Sequence, residues 1–223
     1  MTDLALMKVH IDVLYQKNHK GALTVINEPP FETAPTVMVG ATKEGKVVYF
    51  SEEVDDLFKK RVQQIVDESK DEMIAQIINK MTRRTNLSEF NMGPTYVFPE
   101  IKEMSPKVLH IKEVDKEVLA ADFPFVKSDF EVKEPCMVVM AHDRVVSLCC
   151  TARHSNEAAE ASVFTNENYR GKGYGAAVTQ AWAMAIQQQG KTALYSTTWD
   201  NFASQGVAKK LGMRQYGVEL AIE

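Results

Sequence analysis

Between Arg170 and Ala176 three glycines alternate with larger residues: Arg170-Gly171-Lys172-Gly173-Tyr174-Gly175-Ala176. Just ahead, Glu160-Ala161-Ser162-Val163-Phe164-Thr165 is rich in small and β-branched residues and reads as a strand, with Asn166-Glu167-Asn168-Tyr169 as a polar turn. Behind the glycines an apolar-striped segment, long enough for a helix, runs to about Gln189. The first N–H groups of a helix lack intrahelical acceptors and carry partial positive charge, so glycines there let an anion reach bare backbone. The chemistry of this stretch is phosphate binding, and the ligand it predicts is anionic and phosphorylated.

Three glycine-loop patterns compete, and spacing separates them. The phosphate loop of nucleotide hydrolases ends in Gly-Lys-Ser/Thr, whereas Lys172 is followed by Gly173, so that pattern fails. Gly171, Gly173 and Ala176 fit the dinucleotide fingerprint G-x-G-x-x-A, with Asp200 near where a ribose-binding acid is sought. That fingerprint turns directly off its strand near the start of a domain; here several residues intervene, and too few follow for further βαβ units. A nucleotide-dependent oxidoreductase is therefore a distant third reading.

The remaining pattern has a second block. Thr192-Ala193-Leu194-Tyr195-Ser196-Thr197-Thr198 is a strand by composition, followed by Trp199-Asp200-Asn201-Phe202-Ala203-Ser204 and then Val207-Ala208-Lys209-Lys210-Leu211-Gly212-Met213. Arg-Gly-x-Gly-x-Gly, a helix, a strand, Asn-x-x-Ser and a short helix ending Lys-Leu-Gly-Met resemble the GNAT (GCN5-related N-acetyltransferase) superfamily over roughly Val108 to Glu223. The likeness extends to bacterial members that carry a Tyr-Ser-Thr-x-Trp-Asp-Asn block, here Tyr195 to Asn201, and an extra N-terminal half.

The resemblance implies an α/β (α+β) acyl-CoA N-acyltransferase fold with a mixed, splayed central sheet, and acetyl-CoA as cofactor. It implies that backbone groups of Val163, Phe164 and Thr165 pair with the pantetheine arm. The loop Arg170, Gly171, Lys172, Gly173, Tyr174, Gly175 and Ala176 then holds the pyrophosphate through main-chain N–H groups. A branched side chain at Gly173 is expected to cost binding by steric exclusion. Asn201 matches the family position whose side chain contacts the cofactor arm; as a bare residue it reads as a helix N-cap, and both roles stay open.

Acetyl transfer to an amine needs a neutral amine, stabilised charge on the tetrahedral oxygen and a proton for the leaving thiolate. An amine of ordinary pKa, about 10.4, is mostly protonated at pH 7, so a carboxylate is the usual helper. Glu160 and Glu157 are the acids available on the strand, with capping or solvating its start as their alternative role. A strand N–H near Thr165 is the candidate oxyanion donor. For the proton donor the chain departs from the family, which often has Tyr four residues before the glycine of the closing block; here that residue is Ala208. Ser204, one helical turn upstream on the same face, offers a hydroxyl, and Tyr216 and Tyr195 are alternatives. The catalytic candidates are therefore Glu160, Ser204 and Tyr216, with Ser204 also counted among the cofactor contacts. A non-catalytic acyl-CoA-binding or sensing protein is the alternative function, because Ala208 leaves cofactor binding untouched.

Composition bounds these expectations. The chain has 223 residues, 45% hydrophobic and 25% charged, ordinary for a globular protein with a full core. A net charge of −4 argues against nucleic acid or anionic membrane as partner. Cys136, Cys149 and Cys150 are an odd number, two of them adjacent in an expected buried strand, and read as core thiols in a reducing cytosol. No metal-ligand spacing occurs. The first residues lack a basic region ahead of an apolar run, and no apolar stretch approaches the roughly 18 residues of a membrane span, so a cytoplasmic location is expected. The expected partners are an amine of a small molecule or peptide and, as an open alternative, a second copy in a homodimer.

The elements that must position these groups follow the apolar periodicity. Leu4, Met7, Ile11, Leu14 and Tyr15 predict a helix capped by Thr2 or Asp3. Residues 36–42 and 47–50 predict a hairpin, Ser51 starts a helix striped by Val54, Leu57, Phe58, Val62, Ile65 and Val66, and the capping box Ser69-x-x-Glu72 starts another. Thr85 to Pro106, with Gly93-Pro94, Pro99 and Ser105-Pro106, reads as irregular, placing a boundary between an α+β region 1–105 and a catalytic domain 106–223. Tyr96, Phe98 and Phe90 in that stretch are expected either to wall the acceptor pocket or to seal the two halves together. In the second half Val108 to Ile111 is a strand, Asp115 to about Phe130 is helical with a break at Pro124, and residues 136–141 and 145–151 flank a His142-Asp143-Arg144 turn. Alternation puts Ala161, Val163 and Thr165 on one sheet face and Glu160, Ser162 and Phe164 on the other.

Overall fold

The computed structural model describes residues 1–69, 72–83 and 89–223, which fold as two compact units. The first unit is Met1–Thr95 together with Tyr216–Glu223, and the second is Tyr96–Gln215. Residues 96–105, placed by the sequence reading in the N-terminal region, are thus in the second unit, and the last strand is in the first.

In the first unit, α1 (Asp3–Leu14) starts where Thr2 Oγ1 accepts the Ala5 N–H at 3.2 Å, and it buries Leu6, Met7, His10, Ile11 and Leu14. Strands β1 (Tyr15–Lys17) and β2 (Leu23–Ile26) form a small antiparallel ribbon. The expected hairpin is β3 (Val37–Thr42) and β4 (Gly45–Phe50), paired from Val37–Phe50 to Thr42–Gly45. Helix α2 (Asp56–Glu68) begins later than Ser51, because Asp55 is the residue whose carboxylate accepts the Phe58 N–H, at 2.9 Å. Ser69 closes α2 instead of opening the next helix: its N–H donates to Ile65 O, its hydroxyl to Gln76, and Glu72 precedes α3 (Met73–Thr82). Phe58, Val62, Val66, Met73, Ile77 and Met81 from these helices pack on Val37, Val39, Leu220 and Ile222. The stretch expected to be irregular contains β5 (Phe90–Val97), despite Gly93-Pro94 within it; its residues 85–88 lie outside the described residues.

The second unit contains a mixed sheet in the order β10, β9, β8, β7, β6. Strands β6 (Leu109–Ile111), β7 (Cys136–Ala141), β8 (Arg144–His154) and β9 (Ala158–Thr165) are antiparallel neighbours, and β10 (Thr192–Ser196) runs parallel to β9. His142 and Asp143 make the β7–β8 turn with φ of 51° and 59°, the positive pair that a two-residue hairpin requires. A 3₁₀ segment (Glu113–Leu119), α4 (Pro124–Ser128) and α5 (Phe130–Lys133) replace the longer helical region expected, with Pro124 opening α4. They cover one sheet face, where Leu119, Phe123, Val126 and Phe130 meet Val138, Leu148, Cys150 and Phe164. On the other face α6 (Tyr174–Gln188) lays Val178, Ala181, Trp182 and Ile186 against Val139, Cys149, Ala159, Ala161 and Val163. The alternation read along β9 is therefore the alternation of the two cores. Phe98 is buried within this unit, its ring 5.9 Å from Trp182 and 6.4 Å from Tyr195, while Phe90 is exposed. Helix α7 (Phe202–Lys210) follows β10, and β11 (Arg214–Ile222) ends the chain, pairing with β3 in the first unit from Val218–Ala41 to Ile222–Val37. All three cysteines are buried thiols.

Candidate functional site

The site is built where β9 and β10 part. Their parallel pairing covers only Thr192–Ala158, Ala193–Ala159 and Leu194–Glu160, after which β9 runs on to Thr165 without a β10 partner. Asn166 N–H donates to Val146 O on β8 at 2.9 Å. Backbone groups point alternately to opposite edges of a strand, so Phe164 shares that side and the Val163 and Thr165 amides face the unpaired edge. Glu160 stands at the fork: Ser196 Oγ donates to Oε1 at 2.6 Å, and Arg153 Nη1 lies 3.4 Å from Oε2. Its side chain is buried and does not line the cleft that opens beyond the fork. Glu157 is exposed on the turn ahead of β9, where its carbonyl accepts the Thr192 N–H.

That cleft has a volume of about 760 Å³. Every residue expected to contact a cofactor lines it except Lys172, whose ammonium sits 4.6 Å from the centre of the Tyr169 ring. The loop between β9 and α6 is tied down at its β9 end. Asn166 Nδ2 reaches Asp122 Oδ1 and Val145 O, each at 3.4 Å, and Asp122 in turn takes a two-pronged bond from Arg144, at 3.0 Å and 2.6 Å. Arg170 Nε donates to Thr165 O at 3.4 Å, and its guanidinium lies 3.5 Å from the exposed Glu167 carboxylate.

Helix α6 begins at Gly173, which has a φ of +81° and no side chain to cap the first turn. Left-handed backbone of this kind strains any residue with a Cβ, and the amides that follow have no acceptor inside the helix. A Cβ on Gly173 would stand 2.8 Å from Lys210 Nζ, and one on Gly175 would stand 3.3 Å from Thr165 Oγ1. The loop is therefore a cradle of bare backbone with a lysine over it. On the facing side, Asn201 caps α7 through Oδ1, which accepts the Ser204 N–H at 3.0 Å, and both residues line the cleft. Ala208 is fully buried below it.

Tyr216 is not among the residues that line this cleft. It is buried in the first unit, and its hydroxyl is 2.5 Å from Nδ1 of the equally buried His10. Tyr195, on β10, is also buried; burial pushes its hydroxyl up to about 12, and the oxygen has no hydrogen-bond partner. The sequence reading passed over Lys210. The signal was present, because Ala203, Gly206, Val207 and Lys210 all line the cleft at helical i, i+3, i+4 and i+7 spacing. Phe123, Asn166, Glu167 and Tyr169 line it as well, and only the fold brings Phe123 there.

A family model described as GNAT acetyltransferase matches residues 36–217. Among solved structures, a protein described as an acetyltransferase of the GNAT family from Novosphingobium aromaticivorans shares 16% identity with a TM-score of 0.52. That likeness covers 61% of this chain and 65% of the other, just under two thirds of its length. A GCN5-related N-acetyltransferase-like protein from Streptococcus suis shares 15% identity over 85% of each chain, with a TM-score of 0.50. At these identities the likeness is one of fold. No curated protein matches.

Proposed function

The chain belongs to the GNAT acetyltransferase family, and from that premise we propose that it moves an acetyl group from acetyl-CoA to an amine of a small molecule or peptide by direct attack. The observation that carries this reading is the pairing of an unpaired β9 edge with a bare-amide cradle in one cleft of about 760 Å³. An extended amide-bearing arm fits the first, and a diphosphate fits the second. Lys210, Arg170 and the amides after Gly173 would hold the phosphates, and the Val163 and Thr165 amides would align the arm. Acetyl-CoA supplies an activated acyl carbon on a sulfur leaving group. The reaction forms the amide C–N bond, breaks the C–S bond with the electron pair leaving on sulfur, and moves one proton from nitrogen to sulfur.

In this reading the chain's own side chains divide the labour. Ser204, which lines the cleft, is the hydroxyl that would serve a departing sulfur or a water. Glu160 holds the fork open by tying β9 to Ser196 and Arg153. Tyr216 is assigned to the core of the first unit rather than to the chemistry. We assign the reaction to the cytosol, in keeping with three buried free thiols and with no helix among the described residues being long and apolar enough to cross a membrane. The sensing alternative draws its support from Ala208, a buried methyl where a phenol would otherwise point at the sulfur.

Thermal denaturation with ligand tests the cofactor. Acetyl-CoA at about 100 times its dissociation constant adds about 2.7 kcal/mol, a rise in Tm of roughly 5–10 °C at this chain length, and NAD adds none. Free-thiol release from acetyl-CoA over a panel of primary amines tests the reaction. Absence of any shift with acetyl-CoA would overturn the proposal, and a shift with no thiol release by any amine would favour the sensor.

A further inference from the structure

A second cavity, of about 320 Å³, lies at the other end of the same sheet and shares no lining residue with the cleft. Strand β9 spans both: Ala159 lines this cavity and Thr165 the cleft, about 20 Å apart at the rise of a strand. The topology gathers its walls from distant parts of the chain, because β6 and β8 end here while β7, β9 and β10 begin. His110 and Lys112 come from the end of β6, Glu134 from just before β7, His154 from the last position of β8, and Gln189 and Lys191 from the turn between α6 and β10. Two ammoniums and two imidazoles thus share the lining with one carboxylate, in a chain whose net charge is −4. Neither Lys112 nor Lys191 makes an ion pair with Glu134 or another carboxylate among the described residues. Lys112 Nζ instead stands 3.4 Å from His110 Nε2, one basic group against another. Protonation of that ring nitrogen would set two cations side by side, an arrangement that an anion relieves. Thr151, in the lining, offers no relief: its Oγ1 already donates to Glu134 O at 2.7 Å and accepts from Trp182 Nε1 at 3.2 Å. A lysine just past the last turn of a helix is favoured by the helix dipole, which accounts for Lys191 but not for Lys112 at the end of a strand.

We propose that this cavity binds a small dianion carrying phosphate or carboxylate oxygens, with Lys112 and Lys191 supplying charge and the His110 and His154 ring N–H groups supplying hydrogen bonds. Imidazoles and a carboxylate are also metal-ligand types. Among the described residues, however, no three such groups are placed to hold an ion, and the two ammoniums would repel one. The proposal stands independently of the coenzyme A reading, because the two sites have no residue in common.

The test reads the imidazole C2 protons of His110 and His154 by NMR, assigned with H110Q and H154Q. In chloride both rings should titrate below the usual 6.5, because partial burial and then a neighbouring ammonium, Lys112 for His110 and Lys191 for His154, disfavour the cation. Saturating inorganic phosphate or succinate, at matched ionic strength, should raise both by about one pH unit. K112M and K191M, each read against its own chloride baseline, should raise the anion concentration at half-shift by up to about fivefold while the rest of the spectrum stays that of the folded protein. K210M should leave that concentration unchanged, which separates this site from phosphate held in the cleft. A response to phosphate alone assigns a phosphoryl compound, and a response to succinate alone a dicarboxylate. Absence of a shift with either anion, or the wild-type half-shift concentration in both K112M and K191M, would overturn the proposal.

Discussion

Replacing Lys210 with Met should move stability and affinity in opposite directions. The Lys210 ammonium lies over the N-terminus of α6, 2.8 Å from where a Gly173 side chain would begin, and no hydrogen bond or ion pair to a neighbouring carboxylate holds it there among the described residues. A helix N-terminus carries about half a positive charge. At about 4 Å and in a water-like dielectric, a unit charge and a half charge repel by about 0.5 kcal/mol. Lys210 is exposed, so that solvent-screened figure is the appropriate one. K210M should therefore raise the Tm of the ligand-free protein by about 1–2 °C. With coenzyme A in the cleft the same ammonium faces a diphosphate, and losing it should cost about 1 kcal/mol, a roughly fivefold weaker Kd. Isothermal calorimetry in low salt measures the second effect and thermal denaturation the first. The gap in Kd should close as ionic strength rises, because the Debye length falls from about 10 Å at 0.1 M to about 3 Å at 1 M. Equal affinities at low salt, or a lower Tm for ligand-free K210M, would refute the phosphate cradle as drawn.

E160A removes the shared acceptor of Ser196 and Arg153 and should cost about 2–3 kcal/mol, seen as a Tm roughly 5–10 °C lower; loss of kcat at unchanged Tm would instead make Glu160 a catalytic group. Burial pushes the Cys136 and Cys149 thiols well up, so the native protein should resist alkylation at pH 8 and react at all three cysteines only in denaturant, as counted by mass spectrometry. Burial, and then Lys191, lowers the His154 pKa below its usual 6.5. The unfolded chain then binds this proton first, so stability should be full above pH 6.5 and decline as pH falls below it. H154Q should flatten that decline in denaturant titrations at pH 5 and pH 7.

The glycine loop and the strand before it were legible because their signals are local. Gly171 and Gly173 are glycines where the backbone has φ of +76° and +81°, and period-two alternation sorted β9 correctly between two cores. Boundaries failed where local chemistry offered two answers. Ser69 has the composition of an N-cap and serves as the end of α2, because Asp55 had already fixed where that helix starts. Gly93-Pro94 looked like a breaker, yet Pro94 is accommodated inside β5. The catalytic candidates were harder still, because a side chain's partners are set by distant strands. Nothing near Tyr216 in sequence announces His10, and nothing near Glu160 announces both Arg153 and Ser196.

Residues 216–223 belong to the same unit as residues 1–95, and their strand forms five ladder partners with β3. On the ribosome the β3 edge that awaits Val218 to Ile222 stays open until the whole second unit has been synthesised. The backbone groups of Val37 to Ala41 that β11 pairs are then open for most of translation, on a strand edge able to template pairing with another nascent chain. Trimming a handful of residues from the C-terminal side should accordingly harm the first hundred residues before it harms the cleft, and a chaperone or protease would meet this protein first at its N-terminal half.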